Sequence, residues 1–341
     1  MNPAACILGC AGPVLSRTEM AFFAEVQPWG FILFGRNVET PDQVRALVAS
    51  LRAAIDRADA PVLIDQEGGR VQRLGPPHWR RYPPGRAYGT LRGNDPLLAR
   101  EVTRLGARLI AHDLAALGIN VDCLPVLDVP APGGHPVIGD RAYGDTPEEV
   151  AVLGRAACEG LIAGGVLPVL KHIPGHGRAR TDSHLELPVV GASRDDLAVH
   201  DFLPFRALSD MPMAMTAHVI YPALDQKRPA TTSRRVIDTV VRDAIGFQGL
   251  LMSDDLAMKA LDGDMGQRAR SARRAGCDVV LHCDGNIADM TAVAVGAGPL
   301  RGQGQRRAEA ALARVARQPE PFDVEAGRAR FDAAFEGRWA A

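Results

Sequence analysis

The sequence predicts an α/β fold, and within that class a closed (β/α)₈ barrel. Short apolar runs alternate with longer helical patterns along the 341 residues, which is typical of parallel sheets covered by helices. Runs such as Phe31-Ile-Leu-Phe34 and Val279-Val-Leu281 are apolar at successive positions, as in strands buried on both faces. An open doubly wound sheet is the alternative, but no G-x-G-x-x-G follows a strand, which counts against its dinucleotide-binding form.

Each strand and helix can be placed from local signals. Helix starts are marked by Thr40-Pro41 and by the capping box Thr146-Pro-Glu-Glu149, since proline suits the first helical position. The strands are predicted at 5–9, 30–34, 61–65, 121–128, 167–172, 213–218, 249–254 and 278–283. Helices are predicted at 41–57, 96–117, 147–163, 233–244 and 266–275.

The end of the chain carries no further strand pattern. Residues 302–336 predict polar helices packed on the outside of the barrel. We therefore predict one catalytic domain over residues 1–341, a (β/α)₈ or TIM barrel with extra C-terminal helices.

Composition excludes several classes of function. The chain is 47% hydrophobic and 23% charged, with a net charge of -1, so nucleic acid is not an expected partner. Its six cysteines form no C-x-x-C pair, which favours reduced core thiols over disulfides or metal ligands. No signal-peptide pattern and no membrane-length apolar run occurs. We expect a cytoplasmic monomer that does not bind membranes.

Most of the predicted strands end in polar or ionisable residues. One strand-end aspartate is commonly a helix cap, but in a barrel all strand ends meet at the mouth where active sites lie. The set predicts one functional site, built from Asp65, Asp128, Lys171-His172, His218, Asp254-Asp255 and Asp284.

The loop after the fifth strand carries the richest chemistry, reading Lys171-His-Ile-Pro-Gly-His-Gly-Arg-Ala-Arg-Thr-Asp-Ser-His184. It can be a surface loop with incidental histidines, a metal site, or an acid–base pair formed by Asp182 and His184. The H-E-x-x-H spacing of helical zinc sites is absent, and no cysteine joins the histidines. Side chains two apart in extended chain point the same way, so the carboxylate can orient the imidazole and raise its basicity.

At these residues the sequence resembles glycoside hydrolase family 3, and within it the β-N-acetylglucosaminidases of peptidoglycan recycling. The likeness covers about residues 5–290 and lies in five blocks: Asp65-Gln-Glu-Gly-Gly-Arg-Val-Gln-Arg73, Pro125-Val-Leu-Asp-Val129, Val137-Ile-Gly-Asp-Arg-Ala-Tyr-Gly144, the 171–184 loop and Ser253-Asp-Asp-Leu-Ala-Met258. Ile173, Ala142-Tyr143 and Ala257 stand where the family usually has Phe, Ser-Phe and Ser. None of these departures removes an ionisable group.

The resemblance implies a retaining hydrolase that removes terminal β-linked N-acetylglucosamine from peptidoglycan fragments, such as GlcNAc-1,6-anhydro-MurNAc with or without a peptide. It implies no cofactor, and we expect no metal. Asp254 matches the nucleophile, His184 the general acid/base and Asp182 its orienting partner, whereas Asp255 is expected to support the site or cap a helix. The sugar-binding set it implies is Asp65, Arg73, Arg141, Lys171 and His172.

Other functions remain open at this point. Family 3 is broad, so a β-glycosidase of wider specificity is one alternative. A lone lysine at a strand end, Lys171, is also compatible with a Schiff-base lyase or aldolase. A sugar-binding protein without turnover would use the binding residues but not the Asp182–His184 pair. Most glycosidases use two carboxylates, so the histidine acid/base rests on the resemblance.

Overall fold

A computed structural model describes residues 2–315 and 319–337 of the chain. Eight strands pair side by side in chain order and close into a barrel, because the last strand pairs with the first. All eight neighbouring pairs are parallel. The strands are β1 Ala4–Leu8, β2 Pro28–Leu33, β3 Val62–Ile64, β4 Val121–Asp122, β5 Leu167–Ile173, β6 Met213–Thr216, β7 Leu250–Asp255 and β8 Val279–His282. The predicted (β/α)₈ fold class is thereby confirmed.

Helices fill the connections between strands and cover the barrel. They are α1 Arg17–Val26, α2 Pro41–Ala54, α3 Gly85–Asn94, α4 Pro96–Ala115, α5 Pro147–Ala163, α6 Arg194–Val199, α7 Phe202–Ala207, α8 Arg234–Val236, α9 Met265–Ala275, α10 Ile287–Ala297, α11 Gly302–Leu312 and α12 Val324–Ala334. Short 3₁₀ turns occur at Gly35–Asn37, Gly139–Arg141 and Ala230–Thr232. A small hairpin, Gln66–Gly68 with Val71–Gln72, follows β3.

The prediction for the fourth strand, 121–128, was too long. The regular ladder ends at Asp122, and the next residues bond to β5 irregularly: the N–H of Leu127 donates to Lys171 O at 2.7 Å, and Lys171 N–H donates to Pro125 O at 3.1 Å. Pro125 has no N–H to continue the ladder. This irregular stretch brings Asp128 to the mouth beside β5.

The predicted helix 233–244 exists, but most of it has a wider turn than an α-helix. Ser233 caps its start by accepting a hydrogen bond from Val236 N–H at 3.1 Å. After the short α8, residues Ile237–Ala244 form a π-helix. A 3.6-residue apolar period does not distinguish the two forms, so the sequence gives no warning of this change.

The C-terminal segment 302–336 contains α11 and α12. Helix α11 contacts β7, and α12 contacts α4, where the fully buried Phe331 lies edge-on to Tyr82 with ring centroids 6.3 Å apart. The prediction of one catalytic domain over 1–341 includes residues outside the described ranges and stays a prediction.

Two further observations concern sequence features. All six cysteines are buried and none is in a disulfide. Among the described residues, no helix has both the length and the apolar character needed to cross a membrane.

Candidate active site

A cavity of about 390 Å³ opens at the mouth of the barrel, where the carboxyl ends of the strands meet. Its size is that of a small-molecule site. This cavity is lined by all eight residues to which the family resemblance assigns a catalytic or sugar-binding role: Asp65, Arg73, Arg141, Lys171, His172, Asp182, His184 and Asp254. The residues come from three strand ends and three loops. Although they are up to 189 positions apart in the sequence, the fold brings them together.

One side of the cavity is a network of alternating charges. Lys171 Nζ lies 3.0 Å from Asp65 Oδ1 and 2.6 Å from Glu67 Oε1. Arg73 donates to the other oxygen of Asp65 at 2.9 Å. Arg141 donates two parallel bonds to Glu67, both of 2.8 Å. Bidentate, charge-assisted bonds of this kind fix the side chains in place.

The network keeps its acids ionised. Burial alone would raise the pKa of Glu67, but the charges of Arg141 and Lys171 lower it to about 2. Burial opposes ionisation of Asp65 as well, and Lys171 and Arg73 hold its pKa well below the usual range. Neither carboxyl carries a proton near neutral pH, so neither is suited to act as a general acid. The cations remain available to bind the hydroxyl groups of a ligand.

Lys171 is also fixed in its charged form. Burial would lower the pKa of its amine, but Asp65 and Glu67 raise it above the ordinary lysine value. An amine must lose its proton before it can attack a carbonyl. The two carboxylates around Lys171 therefore disfavour the Schiff-base lyase alternative.

Asp254 lies at the end of β7 and faces the cavity. Its Oδ1 accepts the Asp255 N–H at 2.8 Å. Burial would raise the pKa of Asp254, but His172 and His218 lower it. Asp254 is thus an anion on a rigid strand end, which is what a nucleophilic carboxylate requires.

Asp255 supports the neighbouring strands and does not cap a helix. Its Oδ1 accepts N–H groups from Ala257 at 3.1 Å and from Cys283, which follows β8, at 3.3 Å. Helix α9 is capped by Asp264 instead. Of the two expectations for Asp255, the helix cap was therefore wrong, because a turn separates this residue from the helix.

A buried aspartate positions His172. Asp128 Oδ2 lies 2.7 Å from His172 Nδ1, and its Oδ1 accepts the backbone N–H groups of His172 and His176 at 3.1 and 2.6 Å. Burial would raise the pKa of Asp128, but the two histidines lower it to about 2. This carboxylate fixes the ring of His172 and leaves Nε2 for a ligand in the cavity.

The first half of the loop between β5 and α6 is anchored. Besides the bond from its N–H to Asp128, His176 lies 3.1 Å from Ser183 Oγ through Nε2 and is 3% exposed. Burial lowers the pKa of His176 to about 4. Gly177 passes so close to Val129 that a Cβ would lie 1.9 Å from its carbonyl oxygen, so only glycine fits.

The second half of the loop carries the predicted acid–base pair and is exposed at His184, although Ser183 beside it is buried. His184 Nδ1 lies 2.8 Å from Asp182 Oδ1, and the same oxygen accepts the His184 N–H at 2.9 Å. The His184 side chain is 64% exposed, against 21% for Asp182. The carboxylate orients the ring, most of which is open to solvent.

Sequence reasoning assigned no role to four residues: Glu67, Asp128, His176 and His218. Glu67 could have been predicted, because it lies two positions after Asp65 in the same block, and side chains two positions apart in an extended chain point the same way. Asp128 and His218 were predicted as strand-end members of the site, without a role. The prediction that Asp284 belongs to the site was wrong: it is not among the residues lining the cavity, and it accepts the N–H of Asn286 at 2.7 Å in the turn after β8.

His218 is buried behind the nucleophile. Its Nδ1 lies 2.7 Å from Thr231 Oγ1, and its Nε2 lies 3.0 Å from the carbonyl oxygen of Asp255. Burial lowers the pKa of His218, so a neutral ring donates from Nε2 and accepts at Nδ1. The ring thus braces the backbone next to Asp254.

A mouth with fixed ions, an anionic carboxylate and a histidine pair suits the binding and cleavage of a hydroxyl-rich ligand. Fold and site together define a barrel hydrolase of carbohydrates. The model of the glycosyl hydrolase family 3 N terminal domain matches residues 15–317, and the chain belongs to this family.

Named relatives narrow the activity. The beta-hexosaminidases of Methylococcus capsulatus and Alkalilimnicola ehrlichii are each 41% identical to the chain, over 80% and 82% of its length and 80% of theirs. NagZ from Neisseria gonorrhoeae has a TM-score of 0.85 and 32% identity, covering 100% of this chain and 98% of that one. A family 3 β-N-acetylglucosaminidase from Paenibacillus sp. gives 0.87 and 31%, covering 98% and 67%. The chain is a glycosidase of the β-N-acetylhexosaminidase type.

Proposed function

We propose that the chain is a retaining β-N-acetylglucosaminidase that removes terminal β-linked N-acetylglucosamine from peptidoglycan fragments in the cytoplasm. The observation that supports this most is the convergence on one cavity of Asp254, the Asp182–His184 pair and the charged network around Lys171. The name of the Paenibacillus relative states the same sugar.

The reaction has two steps. Asp254 attacks the anomeric carbon and forms a glycosyl ester, while His184 gives a proton to the departing oxygen. Water then attacks the anomeric carbon while His184 takes a proton from it, the bond between this carbon and the Asp254 oxygen breaks, and Asp254 leaves as a carboxylate. Two inversions at the same carbon leave the product in the β configuration.

A histidine is a reasonable proton carrier here because of its neighbours. Asp65 and Glu67 are ion-paired, with pKa values below their ordinary range. A histidine side chain adds no second anion beside Asp254. As an imidazolium it donates a proton, and as a neutral imidazole it accepts one, with the change between the two forms near neutral pH. No cofactor or metal enters this sequence of steps.

The binding roles divide between the two sides of the cavity. Asp65, Arg73, Arg141 and Lys171 would bind the hydroxyl groups by charge-assisted hydrogen bonds, with His172 completing the set. Glu67 acts by holding Arg141 and Lys171 in place. The leaving sugar would lie toward His184, outside the barrel mouth.

Two measurements test the proposal. Rates on aryl N-acetylglucosaminide and aryl glucoside separate a hexosaminidase from a broader β-glycosidase, and we expect the first substrate to be strongly preferred. Proton NMR of the early product should show the β-anomer before mutarotation. An α-anomer at the earliest times would exclude the covalent mechanism, and equal rates on both sugars would favour the broader enzyme.

A further inference from the structure

One ion pair lies at the boundary between the anchored and the exposed half of the loop after β5. Arg178 Nε donates to Asp201 Oδ2 at 2.6 Å, across 23 positions of the sequence. Asp201 directly precedes α7, a helix that contacts β5 and α5, and its side chain is 1% exposed. The pair therefore ties the loop to a helix that is packed on the barrel.

The Asp201 carboxylate depends on Arg178 for its stabilisation. Among the described residues its second oxygen, Oδ1, accepts no hydrogen bond, and the next basic group, His200 Nδ1, lies 3.4 Å from Oδ2. The loop backbone passes directly beside it, since a Cβ on Gly175 would lie 2.9 Å from the Asp201 Cβ. Burial raises the pKa of Asp201, and the hydrogen bond and charge of Arg178 oppose that rise. A buried carboxylate without a cation is costly, so the ion pair fixes Arg178 in this position.

Two further anchors follow along the chain. The carbonyl oxygen of Ala179 accepts the N–H of His135 at 2.7 Å, and Ser183 Oγ lies 3.1 Å from His176 Nε2. The stretch between these anchors, residues 180–182, is not buried. Its position is therefore set at its start by the ion pair and the bond to Ala179, and at its end by Ser183.

We propose that Arg178 is a positioning residue for proton transfer. Through its ion pair with Asp201 it fixes the start of residues 180–184, the acid–base segment, so that His184 can reach the departing oxygen. Neither Arg178 nor Asp201 is among the residues that line the cavity at the barrel mouth, so the pair acts on the substrate only through this segment. The inference rests on the proposed function, because that function assigns the proton to His184.

This role predicts which substrates lose rate when the ion pair is broken. A displacement of about 1 Å in an active site can cost about a hundredfold in rate, and the group displaced here is the proton carrier. The loss should therefore grow with the basicity of the leaving oxygen, as expected when general acid catalysis fails. A general weakening of the fold or of the sugar site would instead slow all substrates to the same extent.

The test compares kcat/KM for phenyl and dinitrophenyl N-acetylglucosaminide. This quantity reports formation of the glycosyl ester, and dinitrophenolate departs without a proton. The variants are Arg178→Gln and Asp201→Asn, which remove the same ion pair from its two sides, so the result does not depend on one of them folding. Arg180→Gln, which changes an exposed cation two positions away, is the matched control. His184→Gly is the reference for complete loss of the acid.

We expect Arg178→Gln and Asp201→Asn each to lose about thirtyfold on the phenyl substrate and less than about threefold on the dinitrophenyl substrate. The double variant should lose no more than either single variant, because the two residues act as one unit. Arg178→Lys keeps the charge without the planar donor and should recover part of the loss. Arg180→Gln should match the wild type. Inhibition by N-acetylglucosamine should be the same in all of these proteins, because the sugar site is intact.

The failures are distinguishable. A wild type that does not cleave the dinitrophenyl substrate would contradict the proposed function, and equal losses on both substrates in His184→Gly would contradict its proton carrier. If His184→Gly shows the dependence on the leaving group, then equal losses on both substrates in Arg178→Gln and Asp201→Asn, or no loss in either variant, would overturn only the positioning role. Additive losses in the double variant would also overturn it, because the two residues would then act independently.

Discussion

Asp254, the proposed nucleophile, and His184, the proposed acid/base, differ in their surroundings: the first lies at a strand end inside the barrel mouth and the second on an exposed loop. Asp254 ends a barrel strand and is fixed by the N–H of Asp255 at 2.8 Å. His184 lies on an exposed loop, with 64% of its side chain accessible, and its ring is paired only with Asp182 in the same segment.

The difference suits the two roles, because a nucleophile needs a fixed position and a proton carrier needs to move. A nucleophile must meet one carbon atom, and a strand end held by neighbouring strands gives that precision. A proton carrier must serve a leaving oxygen first and a water molecule later. We therefore infer that the exposed half of the loop moves toward Asp254 when the sugar binds, as mobile loops do in other enzymes. The anchored half, around His176 and Gly177, stays in place.

The largest loss of turnover should come from changing Asp254, the residue fixed at the strand end. Asp254→Asn should keep the fold and lose at least about a thousandfold of the turnover, because an amide cannot form the glycosyl ester. The measurement is kcat with aryl N-acetylglucosaminide, alongside a thermal unfolding curve. In the wild type, a slow fluorinated substrate should add one glycosyl mass. A label mapped to Asp255 would overturn the assignment.

Changing His184, on the exposed loop, should reduce the rate by an amount that depends on the leaving group. His184→Gly should cost about a hundredfold with the natural disaccharide, whose leaving oxygen needs a proton. The loss should be smaller for aryl glycosides with acidic phenols, because these leaving groups depart unprotonated. A plot of log kcat/KM against leaving-group pKa should therefore be steeper for the variant than for the wild type.

Azide sharpens this prediction. For activated substrates the slow step of His184→Gly should be hydrolysis of the glycosyl ester, where the same histidine acts as base. Azide needs no base and should speed turnover of the variant but not of the wild type. Equal losses for all leaving groups, without azide rescue, would show that His184 serves binding or structure.

A smaller effect is expected at Glu67, which is 6% exposed and bonded to Arg141 and Lys171. Glu67→Gln should raise KM by roughly tenfold with little change in kcat, because the two cations lose their common anchor. The unfolding free energy should fall by about 3 kcal/mol, since Arg141 remains buried without a carboxylate partner while Lys171 keeps Asp65. The exposed Glu39→Gln is the control. A loss confined to kcat would place Glu67 in the chemical step.

Much of this arrangement was open to prediction from local pattern. The apolar runs at β2 and β8 specify buried parallel strands, and the spacing of Asp182 and His184 places both on one side of the chain. The length of β4 was overestimated because hydrophobicity alone does not reveal the ladder bond lost at Pro125.

Long-range packing was the other limit. Asp128 contacts His176 across 48 positions, and the backbone fit of Gly177 against Val129 spans the same distance in sequence. The periodicity of apolar residues, which predicts strands and helices, does not indicate contacts between residues so far apart in the sequence. The burial that separates His176 from His184 is likewise a property of the folded loop, although the two histidines look alike in the sequence.

The last prediction concerns that anchored half of the loop and its stability. Burial lowers the pKa of His176 from 6.5 to about 4, so between these values the unfolded chain binds a proton that the folded chain does not. Stability contributed by this residue is therefore complete above pH 6.5 and is lost as pH falls toward 4, by about 3.5 kcal/mol in full and about 2 kcal/mol by pH 5, at 1.4 kcal/mol per pKa unit. Urea unfolding at pH 7 and pH 5 measures it. His176→Gln should show a smaller fall than the wild type, whereas His78→Gln, which changes an exposed ring, should fall as the wild type does. Parallel falls in wild type and His176→Gln would mean that other groups cause the acid sensitivity, and that the loop is not held by a neutral His176.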